Sequence, residues 1–332
     1  MSASQLAAQR NTFRGVRTLV LGASGFIGRW MSRALAEAGA DVTMIARNGD
    51  AAANLERWGA HGVVRVANLQ DAAEARRIVS AQAPDVVFNL AGYGVDRAER
   101  DARVAHALNA QLPANLAEAV AALGVTEWKG ARLVHVGSAL EYGVADGDLG
   151  EDSVALPTTV YGRTKHAGTV AVTRIARAKN LRAVTARLFT VFGPGEHAGR
   201  LFPTLIRAAD TSESISLSEG MQRRDFAFVG DVADKLIQLA ALETLPGEVV
   251  NLASGTMHPV RDFVVAAAIA LGLDQKRLNF GAIEVRPEEM SHRSVVVDRL
   301  RALTGGALSG NLSDVVNRAV QAARTLDWRP DA

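Results

Sequence analysis

The sequence predicts an α/β fold: a doubly wound parallel sheet with helices on both faces, and a smaller, mostly C-terminal α/β lobe beside it. Three observations lead there. Short apolar runs alternate with longer segments of helical period as far as Phe189; a glycine-rich turn joins the first run to the first helix; beyond Phe189 the alternation loosens. Strands separated by helices of this length close into a parallel sheet through right-handed crossovers. With 332 residues, 48% of them hydrophobic, the chain can bury one large domain or two unequal lobes.

Each element carries its own signature. "RTLVLGA" reads as a buried strand and "IGRWMSRALAEAG" as a helix that Gly39 ends. "DVTMIAR" is a second strand, "DAAEARRIVSAQA" a helix and "DVVFNLAG" a further strand. One long helix is expected across "AHALNAQLPANLAEAVAALG", a strand at "ARLVHVGS", a helix at "YGRTKHAGTVAVTRIARAK" and a strand at "LRAVTARLF". After these, "GPGEHAGRLFP" is loop-like, "DTSESISLSEGMQRRDF" polar, "PVRDFVVAAAIALGL" helical, and the tail closes with a helix. The expected division is an N-terminal extension over 1–14, a sheet domain over 15–189 to which 226–256 returns, and a second lobe from 190–225 and 257–332. That lobe is expected over the sheet's carboxyl edge, where open α/β sheets bind ligands.

Charge and composition narrow the function. Net charge is only +2, which implies no broad attraction to nucleic acid or to a membrane surface. The chain has no cysteine, so disulfides, thiolate zinc sites and cysteine nucleophiles are excluded together. The start lacks the continuous apolar core of a signal peptide, and no run approaches the roughly 18 apolar residues of a membrane helix. A soluble, cytoplasmic protein is expected. The seven histidines are scattered without metal-ligand spacing, and no metal site is expected.

The turn "GASGFIG", between the first strand and the first helix, has glycines at Gly22, Gly25 and Gly28 in GxxGxxG spacing. In that context glycines permit a tight turn and let the backbone approach a pyrophosphate at the helix N-terminus, the dinucleotide site of a Rossmann-type sheet. At the end of the second strand an acidic side chain would hold a free ribose 2′-hydroxyl, whereas an arginine accommodates a 2′-phosphate. Here "VTMIARN" offers Ala46 and then Arg47, so NADP is favoured over NAD.

Tyr161 and Lys165 stand four residues apart on a predicted helix and share a face; Ser138 ends a strand upstream. A free phenol ionises near pH 10. A lysine cation ~5 Å away at an effective dielectric of ~20 favours phenolate by ~3 kcal/mol, so Lys165 is expected to bring Tyr161 into the range of acid–base work. Ser138 would position the same substrate oxygen.

With "GASGFIG", "PDVVFNLAG", "SALEYG", "YGRTK", "RLFTVFGPG", "QRRDFAFVGDVA" and, more weakly, "RPEEM", the chain resembles an extended short-chain dehydrogenase/reductase of the NAD-dependent epimerase/dehydratase family, which acts on nucleotide sugars. The similarity covers nearly everything after Arg14. It implies Ser138, Tyr161 and Lys165 as the catalytic set, with Tyr161 and Lys165 also touching the cofactor. It implies Gly22, Ser24, Gly25, Phe26, Ile27 and Gly28 at the phosphates, Leu90, Ala91 and Gly92 at the strand end, Asn68 and Leu69 at the adenine, and Asn109 supporting the network. Arg224 of "RRDF" and Arg286 of "RPEE" match the arginines that clamp the nucleotide diphosphate. Tyr93, Ser138, Ala139 and Thr190 fall where the sugar nucleotide is touched, Thr190 replacing a common Asn. Asp96 and Arg97 lie near the same place without a role. The long helix and the Tyr161 helix match the pair that forms a homodimer.

Departures from the family pattern select among activities. The sugar dehydratases carry an Asp–Glu pair where this chain has Ala139 and Leu140, neither of which moves a proton. Without a cysteine, the Cys–His arrangement of the epimerase-reductases is absent too. Two activities remain, reduction and epimerisation, and the missing acid after the second strand favours NADPH-dependent reduction of a keto-sugar nucleotide. The alternatives are a nucleotide-sugar epimerase with bound NAD, a non-catalytic NADP-binding sensor, and a reductase of small carbonyl compounds.

Overall fold

The computed structural model describes residues 12–96, 98–144, 147–284 and 292–330. In chain order its main elements begin with β1 (Arg17–Leu21), α1 (Phe26–Glu37), β2 (Asp41–Ala46), α2 (Gly49–Arg57), β3 (Val63–Val66), α3 (Ala72–Gln82) and β4 (Val86–Asn89). They continue with α4 (Ala102–His106), a π turn (Ala107–Gln111), α5 (Leu112–Ala121), β5 (Leu133–Ser138), α6 (Val160–Lys179), β6 (Ala183–Leu188), β7 (Thr190–Phe192), α7 (Leu201–Ala209) and β8 (Ile215–Leu217). The remainder is β9 (Arg223–Arg224), β10 (Phe226–Phe228), α8 (Val229–Ala241), β11 (Glu248–Leu252), β12 (His258–Pro259), α9 (Val260–Leu271), β13 (Leu278–Phe280), α10 (Asp298–Thr304) and α11 (Leu312–Thr325).

Seven strands form one parallel sheet in the order β11-β6-β5-β4-β1-β2-β3. The interior strands β4, β5 and β6 are buried along their whole length, as sequences covered by helices on both faces must be. The apolar runs read as strands are therefore continuous rather than alternating. Winding goes outward from β1 to β3, crosses back to β4, and goes outward again on the other side. The crevice between the carboxyl ends of β1 and β4 is the switch point at which such sheets bind ligands. Leu21 and Asn89 pair there in register, so the segments after them, Gly22 and Leu90–Gly92, flank one opening.

Two apolar layers hold the sheet. On one face Val20, Met44, Phe88 and Val134 pack with Met31 and Leu35 of α1 and Leu236 of α8. On the other, Leu19, Leu21, Val87 and Leu133 pack with Leu116 of α5 and Val172 and Ile175 of α6. Phe13, in the segment expected to be an extension, is fully buried and stands 5.0 Å from the Trp128 ring, so residues just before Arg14 already pack on this domain. A third cluster, built on Phe192, Phe202, Phe226 and Phe263, forms the core under α9 and α11.

The two parts are tied together beside the opening. Arg29 Nη2 donates to the Gly195 carbonyl at 2.7 Å, and Trp30 Nε1 donates to the Pro194 carbonyl at 2.8 Å. Asp225 of "RRDF" is buried and accepts the N–H groups of Ser254 (2.9 Å) and Gly255 (2.7 Å).

The single long helix expected around 104–123 differs in one respect: it is broken by the π turn at Ala107–Gln111. Pro113 has no N–H to give the carbonyl four residues earlier, that of Asn109, so the α-helical ladder cannot be continuous there. The widened turn carries the Asn109 side chain into the protein, where it is fully buried.

Candidate active site

The glycine turn is shaped by close packing. Gly22 has φ +75°, and a β-carbon there would lie 2.6 Å from the Ala91 nitrogen; one on Gly28 would run into the Gly22 carbonyl oxygen. Strand, turn and helix thus sit directly against the end of β4. Gly25, the N-cap of α1, supplies no side-chain acceptor, so the first N–H groups of α1 are free of a side-chain cap. Ser24, Phe26 and Ile27 are partly exposed around them. Across the opening Gly92 is exposed, and a β-carbon there would stand 3.4 Å from Asn109 Oδ1 and 3.8 Å from Lys165 Nζ. A bare helix N-terminus facing a side-chain-free floor over a buried lysine fits a dinucleotide: the first suits a pyrophosphate, the second a ribose.

At the end of β2, Ala46 is buried and Arg47 exposed. Asn68 is exposed but turned onto its own loop, where Oδ1 accepts the Gln70 N–H at 3.1 Å; Leu69 beside it is partly buried.

Ser138 ends β5 and is 9% exposed. Thr159 caps α6, its hydroxyl accepting the Gly162 N–H at 3.0 Å, which places Tyr161 in the first turn and Lys165 one turn later. Two glycines bring this helix close to its neighbours: β-carbons would drive Gly162 into the Leu140 carbonyl and Gly168 into the Asn109 carbonyl. Asn109 completes the frame. Its amide accepts the Tyr93 N–H at 3.0 Å and donates to the Tyr93 carbonyl at 2.7 Å and to Thr164 Oγ1 at 3.0 Å, joining the segment after β4 to α6. The Tyr93 hydroxyl in turn accepts the Asp101 N–H at 3.4 Å.

The phenol of Tyr161 and the hydroxyl of Ser138 are hydrogen-bonded. The electrostatics differ from the expectation that Lys165 lowers the phenol. Burial pushes Tyr161 up to about 12; the Ser138 hydrogen bond works against it, Glu141 and Glu99 add to it, and Arg200 opposes it. Burial also pulls Lys165 down to about 8, which Glu141 partly offsets. The lysine ammonium donates to the Val136 carbonyl at 2.6 Å, so it is anchored to the sheet. Enclosure dominates at both groups. His135 beneath it, on β5, is fully buried and hydrogen-bonded to Asn89 at 3.1 Å; burial and Lys165 together keep it neutral. Among the described residues no group of three or more His, Cys, Asp or Glu could hold a metal ion.

A cleft of about 260 Å³ in the second lobe is lined by Thr190, Glu196, Arg200, Gln222, Arg224 and Phe280, among others. Arg200, which lines it, also acts on the phenol of Tyr161. Asp225 bonds to backbone N–H groups instead of pairing with Arg224, whose guanidinium lines the cleft, donates to the Arg223 carbonyl at 2.6 Å and is depressed by burial. Thr190 lines the same wall, and Ala139, 5% exposed, follows Ser138 directly. Asp96 pairs with His197 at 2.8 Å, linking the segment after β4 to the loop after β7. Arg97 and Arg286 lie outside the described residues.

Three members of this site escaped the sequence reading. Glu196, in "GPGEHAG", accepts Arg200 Nε at 3.1 Å on Oε1, has no partner on Oε2 among the described residues, and is pushed by burial up to about 7. Gln222 in the same cleft has no partner on Oε1 among the described residues. Glu141, beside Ser138, is fully buried. A loop acid gives no sequence sign of burial, since acids in loops are ordinarily solvated. For Glu141 a sign did exist: the "SALE" spacing matches a capping box on the Ser138 turn.

A phenol and an ammonium one helical turn apart, facing a serine across a dinucleotide-type opening, is the chemistry of the short-chain dehydrogenases/reductases. Within that class the chain belongs to the NAD dependent epimerase/dehydratase family, whose sequence profile matches residues 18–253. It is 33% identical over 258 residues to a dTDP-6-deoxy-L-talose 4-dehydrogenase (NAD(P)(+)) from Kitasatospora kifunensis, covering 75% of this chain and 77% of that protein. It is 30% identical over 306 residues to a dTDP-4-dehydrorhamnose reductase from Mycobacterium tuberculosis, covering 88% of each. The solved structure of MoeE5 in complex with UDP-glucuronic acid and NAD superposes with a TM-score of 0.77 at 26% identity, covering 93% of this chain and 99% of that one.

Proposed function

We propose that the protein is an NADPH-dependent reductase of a keto-sugar carried on a nucleoside diphosphate, with Tyr161 as its general acid. One observation carries this reading. Tyr161 and Ser138 meet beside Lys165 one helical turn away; the phenol, raised to about 12, is protonated at neutral pH, and Arg200, which acts on it, lines a cleft together with Arg224. The bound nicotinamide would supply the hydride. Ser138 Oγ accepts the Leu140 N–H at 3.2 Å, which leaves its own proton free to donate to the substrate oxygen and hold it beside Tyr161. Tyr161 then delivers its proton to that oxygen as charge develops on it. The buried ammonium of Lys165 favours the resulting phenolate. Arg224 suits the diphosphate through charge-assisted hydrogen bonds worth about 1.5–3 kcal/mol. Ala139 and Leu140 provide no proton carrier, which speaks against dehydration.

In this reading residues 15–189 with 226–256 hold the cofactor, and 190–225 with 257–332 hold the nucleotide sugar. Exposed Arg47, with no carboxylate at the end of β2, supports the 2′-phosphorylated cofactor. The curated relatives, named as dTDP-sugar reductase and dehydrogenase, support a deoxysugar on a nucleoside diphosphate.

The test is oxidation of NADPH by the purified protein with a panel of 4-keto-6-deoxy sugar nucleotides. Stoichiometric loss of the reduced cofactor is expected, with NADH at least about tenfold less effective, equivalent to ~1.4 kcal/mol at the 2′-phosphate. Interconversion of two nucleotide sugars with no net change of cofactor would replace reduction by epimerisation.

A homodimer through α5 and α6 belongs to the same reading, supported by Val160 and Val170 of α6, which are 42% and 49% exposed. Light scattering is expected to give twice the chain mass of 35.1 kDa, and a monomer would remove this part of the proposal. The reading places the protein in the cytoplasm, where reduced cofactor and nucleotide sugars meet. No described helix is long and apolar enough to cross a membrane.

A further inference from the structure

We infer that Glu141 is a positioning residue, its buried carboxylate holding Ser138 and the helix that carries Tyr161 and Lys165 in a single register. The inference rests on the proposed chemistry only for the reaction in which its effect is read. Glu141 sits in the short 3₁₀ turn Ala139–Glu141 that follows β5 and is completely buried. Its Oε1 accepts two hydrogen bonds, from the Ser138 N–H at 2.8 Å and from Thr169 Oγ1 at 3.0 Å. Thr169 lies on α6, four residues after Lys165 and eight after Tyr161, on the same face. One oxygen atom therefore joins the strand end that presents the serine to the helix that presents the other two groups.

The sequence around it is adapted to this carboxylate. A β-carbon on Gly137 would stand 2.5 Å from Glu141 Oε1 and 3.2 Å from Arg187 Cγ, so a side chain before Ser138 would displace the carboxylate from this position. Arg187, paired in register with Gly137 across β5 and β6, donates from Nε to Glu141 Oε2 at 3.0 Å. Its guanidinium packs 4.5 Å from the Tyr142 ring and donates to the Glu151 carbonyl at 3.3 Å. The Tyr142 hydroxyl donates to Asn251 Oδ1 at 2.6 Å, on β11. The carboxylate is thus braced by three adjacent strands.

A buried ion pair is a poor device for stability, since well-packed apolar side chains of similar volume do as well or better. Fixing geometry accounts for it better. An anionic oxygen accepting two bonds sets both donors more tightly than a neutral acceptor. The charge of Glu141 also partly offsets the effect of burial on Lys165. It is no stand-in for the acid pair of the dehydratases, because every one of these bonds holds it inside the domain, away from the cleft.

The experiment compares Glu141→Gln, Thr169→Val and the double variant with the wild type, in whichever direction of turnover the wild type catalyses. Thr169→Val removes only the helix-side bond and keeps the volume, so it serves if Glu141→Gln fails to fold. Misplacement of reacting groups by about 1 Å costs on the order of 100-fold. Accordingly kcat is expected to fall by about 100-fold in Glu141→Gln and about tenfold in Thr169→Val, with KM for nucleotide sugar and cofactor within about threefold. The double variant is expected to be no worse than Glu141→Gln, because both changes act through one oxygen. Folded variants with unchanged kcat, or with losses confined to KM, would overturn the inference. If the wild type turns over no sugar nucleotide, the proposed reaction fails by itself. The crystal structure of Thr169→Val then decides: loss of the Ser138–Tyr161 hydrogen bond supports the inference, and its retention overturns it.

Discussion

Tyr161→Phe is expected to lower kcat by about 10²–10⁴-fold while leaving KM for the nucleotide sugar and the melting temperature nearly unchanged. Phenylalanine fills the same space beside Gly94, where a β-carbon would already stand 3.2 Å from the ring, so packing is kept. What is lost is the proton. No other acid on α6 or the Ser138 turn takes its place: Glu141 is tied to Ser138, Thr169 and Arg187, and Lys165 is bound to the Val136 carbonyl.

The pH profile separates the two groups. The phenol, raised to about 12, stays protonated through the neutral range, whereas Lys165, lowered to about 8, loses its charge first. Turnover in the wild type is expected to fall as pH rises through about 8. Stability carries the opposite sign. Between about 8 in the folded chain and 10.5 unfolded, the unfolded state binds the lysine proton more tightly, so this group's contribution to stability rises with pH across that window. A basic limb near 12 instead would assign the rate to the phenol.

Gly28→Ala is expected to cost about 3 kcal/mol of stability and to weaken cofactor binding more than tenfold, measured by calorimetry and by cofactor titration. The added methyl meets the Gly22 carbonyl oxygen, with the Ala23 carbonyl oxygen at 2.7 Å, and both are backbone. Neither can withdraw, because Gly22 is itself packed on the Ala91 nitrogen. The turn must open at the point where the first N–H groups of α1 point out. Gly25→Ala is the control: its nearest obstacle is the Gly22 carbonyl oxygen at 3.2 Å, and a loss under about 1 kcal/mol is expected. Equal losses at both positions would mean that the close packing of Gly28 on the turn does not govern this segment, since helix propensity alone favours alanine.

Much of the fold was legible because its determinants are local. A buried parallel strand must be continuously apolar and its crossover helix must be amphipathic, so β1, β2, β4, β5 and β6 can be read from the apolar runs, whereas the exposed β3 is a strand only by its pairing beside β2. The β11 strand was harder. "EVVNL" follows two lobes' worth of chain, and only its pairing beside β6 makes it part of the sheet. The π turn at Ala107–Gln111 was missed because the sequence shows a helical period throughout. Pro113 was the one local sign, and its effect depends on which carbonyl it leaves unbonded.

The sequence by itself determined the strand–turn–helix order, the glycine spacing at the switch point and the helical spacing of Tyr161 and Lys165, since each is set by neighbours along the chain. Only the tertiary structure decided which groups share an environment. It brought Ser138, Tyr161, Lys165, Asn109 and Gly92 around one opening. It also set the phenol where burial raises it, and it placed Glu141 and Glu196 inside. Desolvation is the physical reason. The free energy of a charge depends on what surrounds it in space, and residues distant in sequence supply those surroundings.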